Sequence, residues 1–180
     1  MNSAPSTSPE ALYHKIVFLG NSNVGKTSII RRILNLEINI EYNPTIGIRI
    51  HNLEIKADDP YYLQLWDVSG DESNIEILPS LLKETAVAVI TFDHKNKESQ
   101  VEFKQLYEKV SELISPNQIL LVGNKAEDET KEIPKILESW VRNLNLVIIP
   151  LSALKNTGHT LLLHNIIEVI KRKPEEQKTK

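Results

Sequence analysis

The segment Gly20-Asn21-Ser22-Asn23-Val24-Gly25-Lys26-Thr27 limits the possible folds of this chain more than any other feature. It stands between the apolar run Lys15–Gly20, which is typical of a buried strand, and Lys26–Leu36, whose apolar residues have helical spacing. Its glycines permit a tight wrap of the backbone that other residues would resist. The segment therefore predicts a strand, a wrapped loop and a helix in direct succession, as at the start of a βαβ unit.

The rest of the chain continues this alternation of short apolar runs and helical-period stretches. Strands are predicted at Ile46–Ile55, Tyr61–Asp67, Ala86–Asp93, Gln118–Asn124 and Leu146–Leu151, and helices at Glu98–Ile114, Lys131–Leu144 and Thr157–Lys171. Polar and apolar residues alternate in the first two of these strands, which favours an antiparallel pair at a sheet edge, with a turn at Asp58-Asp59-Pro60. We predict an α/β fold with a doubly wound, mainly parallel six-stranded sheet flanked by about five helices.

Length and composition fit one globular domain, because the 180 residues are 41% hydrophobic and 25% charged. We expect a disordered tail at residues 1–12, the folded domain at 13–171 and a charged tail at 172–180. A net charge of −3 gives no global basic field, so no nucleic-acid partner is expected. Because cysteine is absent, this sequence has no site for a prenyl or palmitoyl anchor. We expect a monomer.

The wrapped segment also matches the phosphate-binding pattern G-x-x-x-x-G-K-[ST] of P-loop proteins. In that pattern the backbone N–H groups of the loop and the following helix start converge on phosphate oxygens. Lys26 adds a positive charge, and the Thr27 hydroxyl is a suitable oxygen ligand for Mg²⁺. The alternative is a glycine-bounded turn with a lysine by accident. The flanking strand and helix favour the phosphate site.

Two further segments supply candidate groups for the same site. Asp67 ends a predicted strand and begins the sequence Asp67-Val68-Ser69-Gly70, which places a carboxylate and a hinge glycine where P-loop proteins hold Mg²⁺. Tyr42-Asn43-Pro44-Thr45-Ile46-Gly47 follows the first helix, and its proline keeps the chain extended so that Thr45 can face the site. A plain turn and a plain loop are the alternatives.

Two segments at the ends of later strands complete the pattern. Asn124-Lys125-Ala126-Glu127 and Leu151-Ser152-Ala153-Leu154 both follow buried strands, and doubly wound sheets bind ligands at the carboxyl ends of their strands. Together with the earlier segments, their order and separation resemble a small GTPase of the Ras superfamily over about residues 13–171. Gly20–Thr27, the Tyr-x-Pro-Thr-Ile-Gly segment and Trp66-Asp67 resemble the Rab branch most.

The resemblance implies GTP or GDP with Mg²⁺ as cofactors and assigns a role to each matching residue. It implies Mg²⁺ ligation by Thr27, Thr45 and Asp67, and catalytic roles for Lys26, Thr45, Gly70 and Asp71. It implies nucleotide contacts from Ser22, Asn23, Val24, Gly25, Lys26, Thr27, Ser28, Tyr42, Thr45, Gly70, Asn124, Lys125, Glu127, Ser152, Ala153 and Leu154. In the family, the asparagine binds the guanine edge and the lysine packs along the base.

This sequence departs from the family pattern at two positions of the site. Glu127 stands where the family usually has an aspartate that accepts two hydrogen bonds from guanine. A glutamate keeps both acceptor oxygens but is one methylene longer, and a solvated acidic cluster is the alternative reading. Asp71 stands where the family has a glutamine that orients the attacking water. We therefore expect weak intrinsic GTPase activity.

The sequence thus favours a GTP-dependent switch with slow hydrolysis and a role in membrane trafficking. Effectors, exchange factors and activating proteins are expected to contact residues 40–48 and 68–83. We expect a cytoplasmic protein that partners recruit to membranes. The main alternative is a nucleotide-bound scaffold that does not hydrolyse GTP. An ATP-dependent P-loop kinase is a third reading, but the sequence contains no segment that resembles an acceptor site or a lid with arginines.

Overall fold

The structure is a computed structural model that describes residues 13–38, 44–56, 60–71, 76–127 and 132–172. Its strands are β1 (Tyr13–Leu19), β2 (Ile48–Ile55), β3 (Tyr61–Val68), β4 (Thr85–Asp93), β5 (Ile119–Asn124) and β6 (Ile148–Pro150). Its helices are α1 (Lys26–Ile33), α2 (Leu78–Leu82), α3 (Lys97–Ser111), α4 (Lys135–Asn143) and α5 (His159–Lys171). Asp58, Asp59 and the segments 1–12 and 173–180 lie outside the described residues, so the predictions for them stay predictions.

The six strands form one sheet in the order β2-β3-β1-β4-β5-β6. β1 pairs in parallel with β3 and β4, and β4, β5 and β6 continue the parallel arrangement. β2 is antiparallel to β3, with Ile48 opposite Val68. The predicted mainly parallel sheet with an antiparallel edge pair is confirmed. Because the carboxyl ends of parallel strands lie at the same edge of the sheet, the loops that follow these strands meet there.

Apolar residues cover both faces of the sheet, which explains why the strands read as nearly continuous apolar runs. On one face, Ile29 and Ile30 of α1 and Leu162 and Ile166 of α5 are fully buried against β1, β3 and β4. On the other face lie α2, α3 and α4, and Phe103 of α3 contacts Phe92 of β4 with ring centroids 4.7 Å apart. Helices on both faces confirm the predicted doubly wound fold.

The alternation of apolar residues in the edge strand β2 changes at Asn52, and the structure shows that the residues before and after this position use opposite faces of the strand. Leu53 and Ile55 point to the core that contains α1, whereas Ile48 and Ile50 lie on the opposite face and are 38% and 51% exposed. Because side chains alternate along a strand, apolar residues of different parity lie on different faces. The predicted strand Ile46–Ile55 begins two residues later, at Ile48.

The helices differ from prediction mainly at their ends. α1 ends at Ile33 rather than Leu36, and Asn35 beyond it has a left-handed φ of 56°. α4 begins at Lys135, directly after Pro134, which cannot donate a backbone hydrogen bond. The five-residue α2 has no predicted counterpart because it is too short to show a helical period. Within the described ranges, no helix has the length and apolar content needed to cross a bilayer.

Candidate functional site

A cleft of about 410 Å³ opens at the carboxyl ends of the parallel strands. Most residues predicted from the sequence line it, namely Ser22, Asn23, Gly25, Lys26, Thr27, Ser28, Thr45, Gly70, Asn124, Lys125, Glu127, Ala153 and Leu154. Val24, Asp67 and Ser152 are buried behind this lining. Asp71 is exposed and lines a neighbouring cavity with Gly70. Tyr42 lies outside the described residues.

Lys26 lies inside the loop of residues 20–27 and is only 6% exposed. Its Nζ donates to the main-chain oxygens of Gly20 at 2.6 Å and Asn21 at 2.8 Å, which keeps the ammonium group under the loop. Burial lowers the pKa of Lys26 to about 8, and the nearby carboxylate of Asp67 partly opposes this shift. A polyanion in the cleft would favour the charged form of Lys26, so the loop has the electrostatics of a phosphate site.

Gly25 in the loop of residues 20–27 and Gly70 beside this loop both lie where a side chain would collide with neighbouring atoms. Gly25 has a φ of 95°, and a Cβ there would lie 2.2 Å from Nδ2 of Asn124. Gly70 packs so closely on the loop that its Cβ would lie 2.1 Å from the main-chain nitrogen of Ser22. The backbone at Gly70 therefore rests directly on the loop that starts α1. The loop and the segment that follows β3 therefore line the same cleft.

Three oxygen-bearing side chains meet beside the start of α1. Thr27 Oγ1 donates to Oδ2 of Asp67 at 2.7 Å and lies 3.0 Å from Oγ1 of Thr45, which itself lies 3.4 Å from the same carboxylate oxygen. Asp67 is fully buried, and its Oδ1 has no hydrogen-bond partner among the residues that the structure describes. A buried carboxylate oxygen without a partner is costly unless a ligand or ion satisfies it. Two hydroxyls and one carboxylate form an oxygen set that fits Mg²⁺.

Asn124 ties the two halves of the cleft together. Its Nδ2 donates to the main-chain oxygen of Val24 at 2.8 Å, and its Oδ1 accepts from the N–H of Ala153 at 3.1 Å. An amide nitrogen carries two hydrogens, so one of them is left for a ligand in the cleft. The nucleotide contact that the resemblance implies for Ala153 stays a prediction. The asparagine fixes the spacing between the phosphate-type loop and the loop after β6.

Two ion pairs join the end of β4 and the loop after it to the loop that follows β5. Lys125 Nζ lies 2.7 Å from Oδ2 of Asp93, and Lys95 Nζ contacts Oε2 of Glu127. Glu127 also accepts at Oε1 from the hydroxyl of Ser152 at 3.4 Å. Its side chain is 15% exposed, so the carboxylate at the predicted base position is held rather than solvated. The alternative of a solvated acidic cluster does not describe Glu127.

Several cleft residues were not predicted from the sequence. Arg31 and Arg49 line the cleft, Asp93 and Lys95 form the ion pairs, and Arg32 Nε donates to the main-chain oxygen of Ala153 at 2.7 Å. Asp93 ends a strand at the same sheet edge as Asn124, so its position was a usable signal. No local pattern identifies Arg32 and Lys95, because their partners Ala153 and Glu127 lie 121 and 32 positions away in the sequence.

The cleft thus combines a phosphate-type loop, an oxygen cluster suited to Mg²⁺ and an asparagine–acid pair at the far end. The sequence matches the family model of Roc, described as "Ras of Complex, Roc, domain of DAPkinase", over residues 15–127. This match covers more than half of the chain. The chain belongs to the Roc family. Roc domains are GTPase domains of the Ras superfamily, so the predicted superfamily and the P-loop fold are confirmed.

Membership of the Roc family makes this chain a GTP-binding, small-GTPase-like switch domain. It implies guanine nucleotide as the ligand, usually together with Mg²⁺, and GTP hydrolysis as the general activity of the family. The match supports the Ras superfamily and not the Rab branch. It ends at Glu127, so Ser152, Ala153 and Leu154 lie beyond the matched Roc segment and are placed at the cleft by the structure alone.

Proposed function

We propose that this chain binds GDP and GTP with Mg²⁺ in the cleft described above, and that it hydrolyses GTP slowly as a molecular switch. The observation that carries this proposal is the position of Asn124 between Val24 and Ala153. It sets the phosphate-type loop and the loop after β6 around one cleft, as a ligand with phosphates at one end and a purine at the other requires.

In this proposal the loop of residues 20–27 holds the phosphates. Its N–H groups and the start of α1 supply fixed partial positive charge, and Lys26 supplies a full charge. The ammonium of Lys26 is already directed under the loop by Gly20 and Asn21. Phosphate binding therefore needs little rearrangement of the lysine, which favours affinity.

Thr27, Thr45 and Asp67 would hold Mg²⁺, which neutralises phosphate charge when it is bound. The oxygen set supports this assignment, as does Oδ1 of Asp67, which has no partner within the described part of the chain. Because Thr45 lies before β2 and Gly70 lies after β3, we propose that these two loops are the switch loops. A γ-phosphate would order both of them, and its loss would release them.

At the base end, we propose that Asn124 and Glu127 select guanine. A guanine ring presents an N–H and an amino group side by side, and a carboxylate accepts both hydrogen bonds. Adenine presents a ring nitrogen lone pair to the same carboxylate and is disfavoured. Lys125 would pack along the base while Asp93 holds its ammonium group.

We propose slow hydrolysis because of Asp71. The residue follows Gly70 at the cleft edge, where a side-chain amide would orient the attacking water. An aspartate lacks the amide donor, and its negative charge is repelled by the negatively charged phosphate oxygens. Asp71 and Glu127 also favour a second candidate function, a nucleotide-bound scaffold that does not hydrolyse GTP. Single-turnover hydrolysis of pre-bound GTP separates the two.

The motif resemblance supports a finer proposal about partners. Residues 20–27, 42–47 and 66–67 resemble the Rab branch, so we propose effector, exchange-factor and activating-protein contacts at residues 40–48 and 68–83, with partner-dependent recruitment from the cytoplasm to membranes. Of these segments, 44–48, 68–71 and 76–83 lie in the described ranges. A role in trafficking rests on this resemblance alone. Nucleotide-dependent capture of a vesicle-trafficking effector tests it.

The central test is calorimetry of the purified chain with GDP, GTP, ADP and ATP, with Mg²⁺ present and absent. We expect binding of both guanine nucleotides, stronger with Mg²⁺, and little or no binding of the adenine forms. Lys26→Met should abolish the binding of both guanine nucleotides. Equal binding of ADP and GDP, or no binding of guanine nucleotides at any Mg²⁺ concentration, would contradict the proposed function.

A further inference from the structure

The acid at the base end of the cleft is held by contacts that the proposed function does not explain. Lys95 Nζ pairs with Oε2 of Glu127, and the hydroxyl of Ser152 donates to Oε1. Lys155 Nζ donates to the main-chain oxygen of Glu127 at 2.7 Å. The side chain of Glu127 is thus fixed at its carboxylate, and its backbone is fixed by a separate lysine.

The fixation matters because of the chain length of glutamate. One methylene more than aspartate adds a rotatable bond, so an unrestrained carboxylate samples more positions. Two adjacent hydrogen bonds to a purine edge need both oxygens at defined positions. A carboxylate oxygen has two lone pairs, so Oε2 can accept from Lys95 and still accept from a ligand.

The charges around the base end alternate in a regular way. Asp93 ends β4 and Lys95 lies in the loop after it, whereas Lys125 and Glu127 come from the loop after β5. Asp93 pairs with Lys125, and Lys95 pairs with Glu127, so each of the two segments presents one acid and one base to the other. Lys95 is 54% exposed while Glu127 is 15% exposed. The lysine therefore reaches inward from the surface to the acid.

We propose that Lys95 is a positioning residue that holds the carboxylate of Glu127 in the orientation that reads guanine. With this restraint, the longer glutamate side chain can bind guanine as an aspartate would bind it without a restraint. The inference rests on the proposed function, since it concerns the same base site. It predicts that guanine selectivity depends on a lysine outside the segments with recognisable motifs.

The test compares Kd values for GDP and inosine diphosphate, which lacks the amino group next to the ring N–H. The variants are Lys95→Met, which removes the charge but keeps the length, and Lys95→Arg, which keeps a charge. Lys97→Met is the matched control, because Lys97 is an exposed lysine two residues away. The Lys95→Met change is also made in the Glu127→Asp background. All measurements use the full chain with Mg²⁺.

We expect Lys95→Met to weaken GDP binding roughly tenfold and inosine diphosphate binding much less, because only GDP uses both carboxylate oxygens. The ratio of the Kd for inosine diphosphate to the Kd for GDP should therefore fall toward one. Lys95→Arg should restore most of it, and Lys97→Met should leave both Kd values unchanged. In the Glu127→Asp background, Lys95→Met should have little effect, since the shorter acid needs no restraint.

Other outcomes would overturn the inference. A Lys95→Met protein that keeps the wild-type preference for GDP over inosine diphosphate would show that Lys95 does not orient the acid. An equal loss for both ligands, or an equal loss in the Glu127→Asp background, would indicate a general structural effect instead. In each case tight GDP binding by the unaltered protein would leave the proposed function intact. Failure of the unaltered protein to prefer GDP over ADP would contradict the proposed function itself.

Discussion

The guanidinium of Arg32 on α1 donates from Nε to the main-chain oxygen of Ala153 at 2.7 Å. A weaker contact runs from its Nη2 to the oxygen of Leu154 at 3.4 Å. The helix that begins at the phosphate-type loop thereby holds the loop after β6, which is proposed to face the base. Arg32 and Asn124 support this loop from two sides.

The first prediction concerns the hydrogen bond between Arg32 and Ala153. Arg32→Met should weaken GDP binding roughly tenfold, because the loop at Ala153 loses a charge-assisted hydrogen bond. Binding of tripolyphosphate with Mg²⁺ should change little, since it does not contact that loop. Calorimetry with both ligands checks the difference. The exposed Arg142 on α4 supplies a matched control, Arg142→Met, with no expected effect. An equal loss of affinity for both ligands would contradict the proposal that Arg32 acts through the loop at Ala153.

The second prediction concerns Gly25. Gly25→Ala should abolish nucleotide binding and destabilise the fold by about 1–3 kcal/mol, because its Cβ would clash with Asn124 at a positive φ. Gly47→Ala is the comparison for stability, because Gly47 also has a positive φ but its Cβ would meet nothing within 4 Å. Thermal unfolding should show a smaller loss for Gly47→Ala. Equal losses would mean that backbone strain alone matters.

The third prediction concerns the oxygen cluster. Asp67→Asn should remove most of the gain in GDP affinity that Mg²⁺ provides, because an amide lacks the charge that attracts a divalent cation. The comparison is the GDP affinity with Mg²⁺ against that in a chelator. Asp93→Asn is the control, because its carboxylate pairs with Lys125 instead of the hydroxyls. Retention of full Mg²⁺ dependence in Asp67→Asn would rule out this site.

The fourth prediction concerns Asp71. Asp71→Gln should raise the single-turnover rate of GTP hydrolysis by at least about tenfold, because it restores an amide that can orient water. GTP affinity should change much less than the rate. Release of phosphate from pre-bound GTP measures the step directly. A wild-type protein that hydrolyses GTP as fast as this variant, or faster, would contradict the proposed inhibitory role of Asp71.

The sequence predicted the sheet and most of the cleft because the deciding signals are local. The loop of residues 20–27 has a fixed spacing, and the strands are uninterrupted apolar runs ended by polar residues. The period change at Asn52 was visible, but its consequence, one apolar pair facing the core and another facing solvent, requires the position of α1. The end of α1 depended on the left-handed conformation of Asn35, which helical spacing does not reveal.

The contacts that hold the base end could not be predicted in the same way. Arg32 and Ala153 are separated by 121 positions, and Lys95 and Glu127 by 32. Neither pair has a spacing that a motif records. The pair Lys95–Glu127 arises because parallel strands bring the loops that follow them to one edge of the sheet, and the pair Arg32–Ala153 arises because α1 lies beside the loop after β6. Most residues that line the cleft were therefore predictable, whereas the contacts that position them were not.

One backbone hydrogen bond at the end of the β2–β3 hairpin joins the two proposed switch loops. Gly47 accepts a hydrogen bond from the N–H of Ser69 at 2.8 Å, beside the last strand pair, Ile48 and Val68. Thr45 lies two positions before this bond, and Gly70 lies one position after it. A movement of either loop strains the hydrogen bond between Ser69 and Gly47, so we expect the two loops to become mobile together rather than in separate steps.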